Sequence, residues 1–423
     1  MKILIVSHTC FSTHNNMGKT LLSYFRGFAP EELAQLYFHR ETPAETACCR
    51  YYRFTDGAAL KSLFTRREQG ESFGFFTPDE QNSNGGGSAL SFLYRWGQRR
   101  TAMVHCLRNL LWKCSRWETR RLWQWIEDFS PDAVFFAAGD YGFSYEIAAR
   151  IAKARNIPLL VCCVDDFYLH NRNADSILGS FLHRRFLKRV FHTMDQVQAV
   201  FVICESLKRE YEALFDRPCY LLHTPAVPYS GTPEQTNRIA YIGNLELKRE
   251  ESLVQLGRTL QMLEIPGIPK HLDVYSGEED SKILKHMTME NGIRFHGPLS
   301  GEQVQAVMAS CLAVVHTESF RPKMQAIVRH SVSAKIPDAL QNGPCLIAYG
   351  PAGIASMDYL LKTGAAYCIT DPEKLRPQLE IILSNEALRR KIVARARAVA
   401  AKNHNPYGGS DLIRQVLEEV CDR

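Results

Sequence analysis

A chain of 423 residues, 45% hydrophobic and 23% charged, is long enough for two or three domains with substantial cores, and its composition excludes both a disordered chain and a small metal- or disulfide-built module. It contains no run of 18 apolar residues, which excludes an integral helical membrane protein. The net charge is +6, with 28 basic residues against 23 acidic ones up to residue 230 and 23 against 22 beyond, so the excess lies in the first part and suits an anionic partner there, a membrane surface or a phosphorylated substrate.

The N-terminus, MKILIVSH, has one Lys before a short apolar run and then polar His8, the pattern of a buried first strand and not of a secretion signal, so a cytoplasmic location is expected. The thirteen cysteines include two adjacent pairs, Cys48-Cys49 and Cys162-Cys163, and no C-x-x-C. They are expected to be free, mostly buried thiols with no metal.

In chain order, β-rich apolar runs alternate with segments of helical period, as in a parallel sheet covered by helices. Strands are predicted at 2–8, 33–38, 134–138, 158–164, 199–203 and 219–222, with helices near 17–28, 143–155, 176–193 and 204–215. Between the second and third strands lie a flexible tip, 80–88 (EQNSNGGGS), and a basic helical stretch, 94–125. In that stretch Met103, Leu107, Leu110, Cys114 and Trp117 form an apolar stripe, and Arg95, Arg99, Arg100, Arg108, Lys113, Arg116, Arg120 and Arg121 face one acid, Glu118. Such a helix is suited to an anionic bilayer; the alternative is that the stripe packs on the first domain and the Arg residues form a solvated rim.

A Pro-containing linker, 223–237, places a domain boundary between 1–225 and 237–402. Beyond it the alternation restarts, with strands at 238–242, 271–275, 293–296, 312–316, 344–349 and 366–369, and helices near 250–264, 279–290, 300–310, 334–342, 353–363, 373–384 and 386–402. A final helix, 410–421, follows a breaker cluster and is expected to pack back on the first domain. The fold class is therefore α/β, two Rossmann-like domains facing a cleft, with ligands at the C-terminal ends of the strands.

Several motifs stand at those ends. Gly18-Lys19-Thr20 opens a helix, but Thr13 occupies the position where a P-loop needs glycine, so only a milder role for Gly18 at an anion-accepting helix start remains beside a turn role. After the second domain's first strand, Gly243-Asn244 precedes Lys248 and Arg249, cations for a phosphate. Later, Glu318-Ser319-Phe320 follows a strand, and Lys335 and Asp338 are three apart on one helix, so that a cation and a carboxylate would point at one ligand. In the first domain Asp140 and Asp166 end two strands, where catalytic and acceptor-side groups are presented.

The segment SAKIPDALQNGPCLIAYGP, with YIGNLELKRE, LDVYSGEED and IRFHGPLSGEQV, resembles the donor half of GT-B nucleotide-sugar glycosyltransferases, the group with retaining enzymes of bacterial polysaccharide assembly. The resemblance implies that Asp338 holds the donor ribose, that Glu318 lies near the donor sugar with Ser319 and Phe320 offering backbone amides to the diphosphate, that Lys248 or Arg249 binds phosphate, and that Ser276 and Gly277 shape a donor loop. Three departures accompany it: nineteen residues separate the two acids, Asp stands for Glu, and Asn244 stands where the group often has Arg. An insert with Arg321, Lys323 and Arg329 lies between the acids. The implied function is transfer of a sugar from a nucleotide-diphosphate donor to a carbohydrate or lipid-linked carbohydrate acceptor in cell-surface polysaccharide biosynthesis, by a cytoplasmic protein peripheral at the inner membrane face. The nucleotide sugar is a substrate and no cofactor is expected, nor a nucleic-acid partner. A sugar-nucleotide 2-epimerase of the same fold and a non-catalytic scaffold are the alternatives.

Overall fold

The computed structural model describes residues 1–13, 16–43, 47–74, 102–169 and 176–421. The expected tip at 80–88 and the first part of the basic stretch lie outside them. The chain divides into two compact units, Met1–Leu222 with Gly409–Arg423, and His223–Gly408.

The first unit is built on an eight-stranded sheet in the order β4-β3-β2-β1-β5-β6-β7-β8. Its strands are β1 (Ile3–Ser7), β2 (Leu33–Tyr37), β3 (Arg50–Arg53), β4 (Glu71–Phe73), β5 (Ala133–Ala137), β6 (Leu159–Cys163), β7 (Val197–Val202) and β8 (Cys219–Leu221). All pairs are parallel except β3 with β4. The helices are α1 (Asn16–Tyr24), α2 (Asp56–Phe64), α3 (Ala102–Cys114), α4 (Arg120–Phe129), α5 (Gly142–Arg155), α6 (Ile177–Met194) and α7 (Glu205–Phe215). β1, β2, β5 and β6 are buried along their whole length, as expected of strands covered on both faces, and this is why they read as near-continuous apolar runs, broken in β2 by buried Gln35.

The predicted single stretch 94–125 is in fact broken. α3 ends at Cys114, and Thr119 starts α4 by accepting the N–H of Leu122, the capping that a threonine hydroxyl supplies to an orphan amide. α3 is anchored instead by buried Trp112, stacked on Phe143 with ring centroids 4.0 Å apart. The strands β3 and β4 and the helix α2 were not anticipated.

The second unit is a six-stranded parallel sheet in the order β11-β10-β9-β12-β13-β14, formed by β9 (Ile239–Ile242), β10 (Leu272–Tyr275), β11 (Ile293–Gly297), β12 (Ala313–Thr317), β13 (Cys345–Tyr349) and β14 (Tyr367–Ile369). Alternate residues feed two cores: Ile239 and Tyr241 face one, Ala240 and Ile242 the other, the period of two that a pleated strand imposes. Its helices are α8 (Arg249–Gln261), α9 (Ser281–Leu284), α10 (Gly301–Ser310), α11 (Pro322–Val328), α12 (Lys335–Asn342), α13 (Ala355–Thr363), α14 (Leu375–Ser384) and α15 (Glu386–Asn403). The helix predicted at 279–290 is only the short α9 followed by a single turn at Met289–Asn291.

The last helix, α16 (Gly408–Cys421), places Ile413, Val416 and Leu417 in the first unit's core. Arg414 holds Glu32 through two nitrogens at 3.0 and 2.8 Å, and Glu32's carboxyl is held down to about 2 by that hydrogen bonding. Residues 223–237, read from the sequence as a linker, belong to the second unit.

Candidate functional site

In an open parallel sheet the ligand crevice opens where successive connections leave in opposite directions, at the C-terminal ends of the strands. In the second unit the chain runs from β9 outward to β10 and β11, then returns to the other side of β9 with β12, β13 and β14. The switch point is therefore between β9 and β12. The loop after β9 carries Gly243, Asn244, Lys248 and Arg249; the loop after β12 carries Glu318, Ser319 and Phe320.

The loop after β9 is bent sharply. Gly243 donates its N–H to the Tyr275 carbonyl at 3.1 Å, and a Cβ there would come within 2.9 Å of the Tyr241 hydroxyl. Leu247 and Lys248 both adopt the left-handed conformation, with φ of 60° and 64°, an uncommon state for residues with a Cβ and one that concentrates at functional sites. The two bends deliver Arg249 as the first residue of α8, facing β12.

Arg249 is tied down on three sides. Its Nε donates to Glu318 Oε2 at 3.0 Å, Nη2 lies 3.2 Å from Oε1, and Nη1 donates to Asn244 Oδ1 at 2.7 Å. A guanidinium has five N–H groups, so one on each Nη is left over by these bonds. Glu318 is 3% exposed. Burial pushes its carboxyl above the usual range, and the Arg249 charge pulls it back. The helix dipole disfavours a cation at the first turn of α8, and Glu318 offsets that. Nearby, burial and the Arg249 charge hold buried His316 down to about 3, so its ring is neutral near pH 7. His316 Nε2 lies 3.7 Å from Glu318 Oε1, beyond hydrogen-bonding reach, and has no hydrogen-bond partner among the described residues.

The surrounding loops fit this arrangement. At the end of β13 a Cβ on Gly350 would press on Glu318 Cβ at 3.1 Å and on its N at 3.2 Å, so glycine is needed for the two loops to approach. Ser276 is buried, donates its N–H to the Gly297 carbonyl at 2.9 Å, and its hydroxyl accepts from Glu278 N. A Cβ on Gly277 would meet Pro298 only at an ordinary 3.7 Å, so the space there does not require glycine. Beside them Tyr275 and His296 stack with centroids 4.5 Å apart. Lys248 pairs with buried Glu250 at 3.2 Å.

Other predicted site residues have structural partners. Ser319 accepts the N–H of Arg321, and the Phe320 ring packs on Tyr349. Arg321 from the insert pairs with Glu251 through two bonds at the surface. Lys335 is exposed, whereas Asp338 is buried, feels the Lys335 charge, and spends its two oxygens on partners within the unit. Asp338 accepts from Val227 N at 2.9 Å and from Gln305 Nε2 at 2.8 Å. One turn later on the same face Asn342 accepts from Tyr229 N and donates to the Val227 carbonyl. The pair thus clamps the segment 227–229. Burial raises the Asp338 carboxyl, and the two donors oppose that shift.

In the first unit, Gly18 has a packing reason: a Cβ would come within 2.7 Å of the Cys10 carbonyl and 2.8 Å of Ser12. Asp166 is buried, and one oxygen accepts from Tyr168 N, Leu169 N and the Tyr211 hydroxyl, which makes it the organiser of its own turn. Asp140 stays half-buried after β5. Among the described residues no group of three or more His, Cys, Asp or Glu is placed to hold a metal ion.

The first unit's own switch point, between β1 and β5, gathers side chains that sequence reasoning had not selected. The His8 ring lies 4.6 Å from Tyr141 and 5.6 Å from His39, and the Arg108 guanidinium stands 4.0 Å over Tyr141. Asp56 fixes Arg108 at 2.9 Å. Burial lowers the His39 pKa, Glu41 opposing it. The legible signal was the placement of His8 and Tyr141 directly after strands; the partners His39 and Arg108 come from elements of different sequence neighbourhoods.

Two open α/β sheets in tandem, each with polar side chains gathered at its switch point, are the architecture of GT-B proteins. Solved structures agree over nearly the whole chain. HepE of Anabaena, in complex with UDP, aligns with TM-score 0.63 at 12% identity over 99% of this chain and 100% of its own. Sucrose-phosphate synthase of Thermosynechococcus elongatus gives 0.59 at 9% over 99% of both, and WaaG, a glycosyltransferase involved in lipopolysaccharide biosynthesis, gives 0.52 at 10% over 99% of both. None of the curated protein sequences matches the chain. Residues 255–407 match the family model described as glycosyl transferase-like. The chain therefore has the GT-B fold, and part of its second unit is similar to the glycosyl transferase-like family.

Proposed function

We propose that the second unit binds a nucleoside diphosphate sugar and that the enzyme passes the sugar to a carbohydrate or lipid-linked carbohydrate acceptor in cell-surface polysaccharide assembly, working as a peripheral protein at the inner membrane face. The observation that carries this reading is Arg249, fixed at the β9/β12 switch point by Glu318 and Asn244 with N–H groups left over. Such a cation costs little to reorganise when charge develops beside it.

Cleavage of the bond between the anomeric carbon and the diphosphate leaves its electron pair on a phosphate oxygen. Arg249 and, from the exposed end of the loop, Lys248 supply positive charge there without a cofactor or a required metal. The acceptor oxygen forms the new bond to the anomeric carbon. If the configuration is retained, as the group resemblance implies, the acceptor proton leaves on the same face to the departing phosphate oxygen. The Tyr275 and His296 stack beside the Ser276 loop is offered as the place for the base. Since HepE was solved with UDP, UDP is the first nucleotide to test.

A thermal-shift screen over UDP, GDP, CMP and their sugars tests the reading. A ligand at a hundred times its dissociation constant adds about 2.7 kcal/mol of stability, and at the same ligand concentration Arg249→Ala, binding about tenfold to a hundredfold more weakly, should cut that gain to about 0.4–1.4 kcal/mol. If no nucleotide raises the melting temperature of the wild type, the donor-site assignment is wrong.

A further inference from the structure

We propose that the outward face of α6, continued by α3, docks on an anionic lipid bilayer. α6 turns Gly179, Val190, Thr193 and Met194 inward. Its other side leaves Ile177 92% exposed and Phe181 49% exposed, with Arg184, Arg185 and Lys188 one to three turns further along the same side. The helix contains no Asp or Glu. Its remaining cation of this kind, Arg189, is held by Glu146 at 2.9 Å, but Arg184, Arg185 and Lys188 have no acidic partner among the described residues.

α3 extends the patch. Leu110 and Lys113 share a groove with Leu182 and Arg185 of α6, and Leu110 is itself more than half exposed. α3 also contains no acid. The patch is thus assembled from two helices, with its apolar tips chiefly from α6, and it differs from the surface expected on residues 94–125, of which only α3 takes part. No helix of the described residues is long and apolar enough to cross a membrane.

The chemistry of this face matches one occupant. Exposed Ile and Phe side chains find an apolar medium at the acyl boundary of a bilayer, while Arg and Lys reach the phosphate level beside them. A row of cations with no acidic partner among the described residues, one of them, Arg185, lying 5.8 Å over the Phe181 ring, selects an anionic surface. The proposal deepens the peripheral reading above, and nucleotide binding measured on the same preparations keeps the two apart.

Co-sedimentation of the full chain with phosphatidylcholine vesicles containing about a third phosphatidylglycerol is the test, with pure phosphatidylcholine as control. The wild type should bind the anionic vesicles at low salt and not the neutral ones. Each cation near the surface changes partitioning about fivefold, so the triple variant Arg184→Gln, Arg185→Gln, Lys188→Gln should bind about a hundredfold more weakly. Ile177→Ser with Phe181→Ser should remove the binding that survives high salt. All variants should keep the wild-type melting temperature and nucleotide affinity. Absence of wild-type binding at low salt, or wild-type binding by the triple variant, overturns the proposal. So does a concentration-dependent dimer in sedimentation velocity that the Ile177 and Phe181 changes dissolve, because the face would then belong to a second copy of the chain.

Discussion

Replacing Glu318 by Gln keeps the shape of the side chain and removes the charge that holds Arg249. Glu318 is buried and Arg249 largely so, with side-chain exposures of 4% and 14%. Breaking a buried ion pair from one side strands the other charge and costs about 3–5 kcal/mol. Gln still accepts from Nε, but it turns an amide N–H toward Nη2, so a loss near the lower end, about 3 kcal/mol, is expected. The double variant Arg249→Met, Glu318→Leu leaves neither charge and should return close to wild-type stability. Nucleotide binding separates structure from function. Loss of a charged hydrogen bond to phosphate costs about 1.5–3 kcal/mol, which weakens binding about tenfold to a hundredfold. The double variant, though stable, should therefore bind UDP that much more weakly. Glu318→Gln should weaken it by a smaller factor because the cation remains but is less well aimed. Denaturant unfolding of the full chain and calorimetry with UDP read the two effects. A double variant that binds UDP as the wild type does would refute the assignment of Arg249 to phosphate. A Glu318→Gln protein that is less stable but binds UDP unchanged would reduce Glu318 to a packing role.

Asp338→Ala should cost about 1–3 kcal/mol by leaving the Val227 amide unpaired and should speed hydrogen exchange at Val227; unchanged exchange there would show that the clamp is not formed. His404 is held down to about 4 by burial, its Nδ1–H donating to the Thr224 carbonyl and its Nε2 accepting from the Tyr359 hydroxyl. Below the unfolded value near 6.5 the unfolded chain takes up a proton that folded His404 and His316 refuse, so stability of the second unit should fall as the pH drops from about 6.5 to 4, by up to about 1.4 kcal/mol per pH unit for each ring. His404→Gln should flatten that slope, and a level profile in the wild type would contradict it. On the proposed reading turnover should survive EDTA, because Arg249 and Lys248 would supply the positive charge that a divalent ion otherwise provides; activity lost to EDTA and restored by magnesium or manganese would point to a metal.

The strands were legible because β1, β5, β6, β9, β12 and β13 are buried on both faces and appear as unbroken apolar runs, whose limits the structure shifts by only a residue or two. β3 and β4 were not legible. Arg50, Arg53 and Glu71 give them no apolar run, and at the edge of the sheet they are held by pairing and by the Arg53 to Glu71 bond. In the site, Gly243, Arg249 and Glu318 could be picked from their places after strands. Their mutual contact could not, since 69 residues separate Arg249 from Glu318 and only the strand order brings β9 beside β12. Asp338 shows the opposite failure. Its helical spacing from Lys335 suggested a ligand face, but the spacing from Asn342 on that same helix is the one that the structure uses, because both side chains meet the backbone of 227–229.

The departure at Asn244 follows from the same geometry. Where the resembling group often places Arg, a second guanidinium would stand within bonding distance of Arg249, and two like charges at a half-buried helix start repel strongly in a low-dielectric site. Asn244 instead offers Oδ1, which accepts from Nη1 and orients the one cation that remains. The site thus has less charge and a more fixed direction. Electrostatic stabilisation depends on donors already aimed at the place where charge will appear, so a single guanidinium clamped by Glu318 and Asn244 can replace part of what a second cation would contribute. Asn244→Arg tests this directly. It should lower the stability of the second unit through repulsion, and it should not raise UDP affinity unless Arg249 is removed at the same time. Tighter UDP binding by Asn244→Arg alone would show that total charge, and not the fixed direction of Arg249, limits the site.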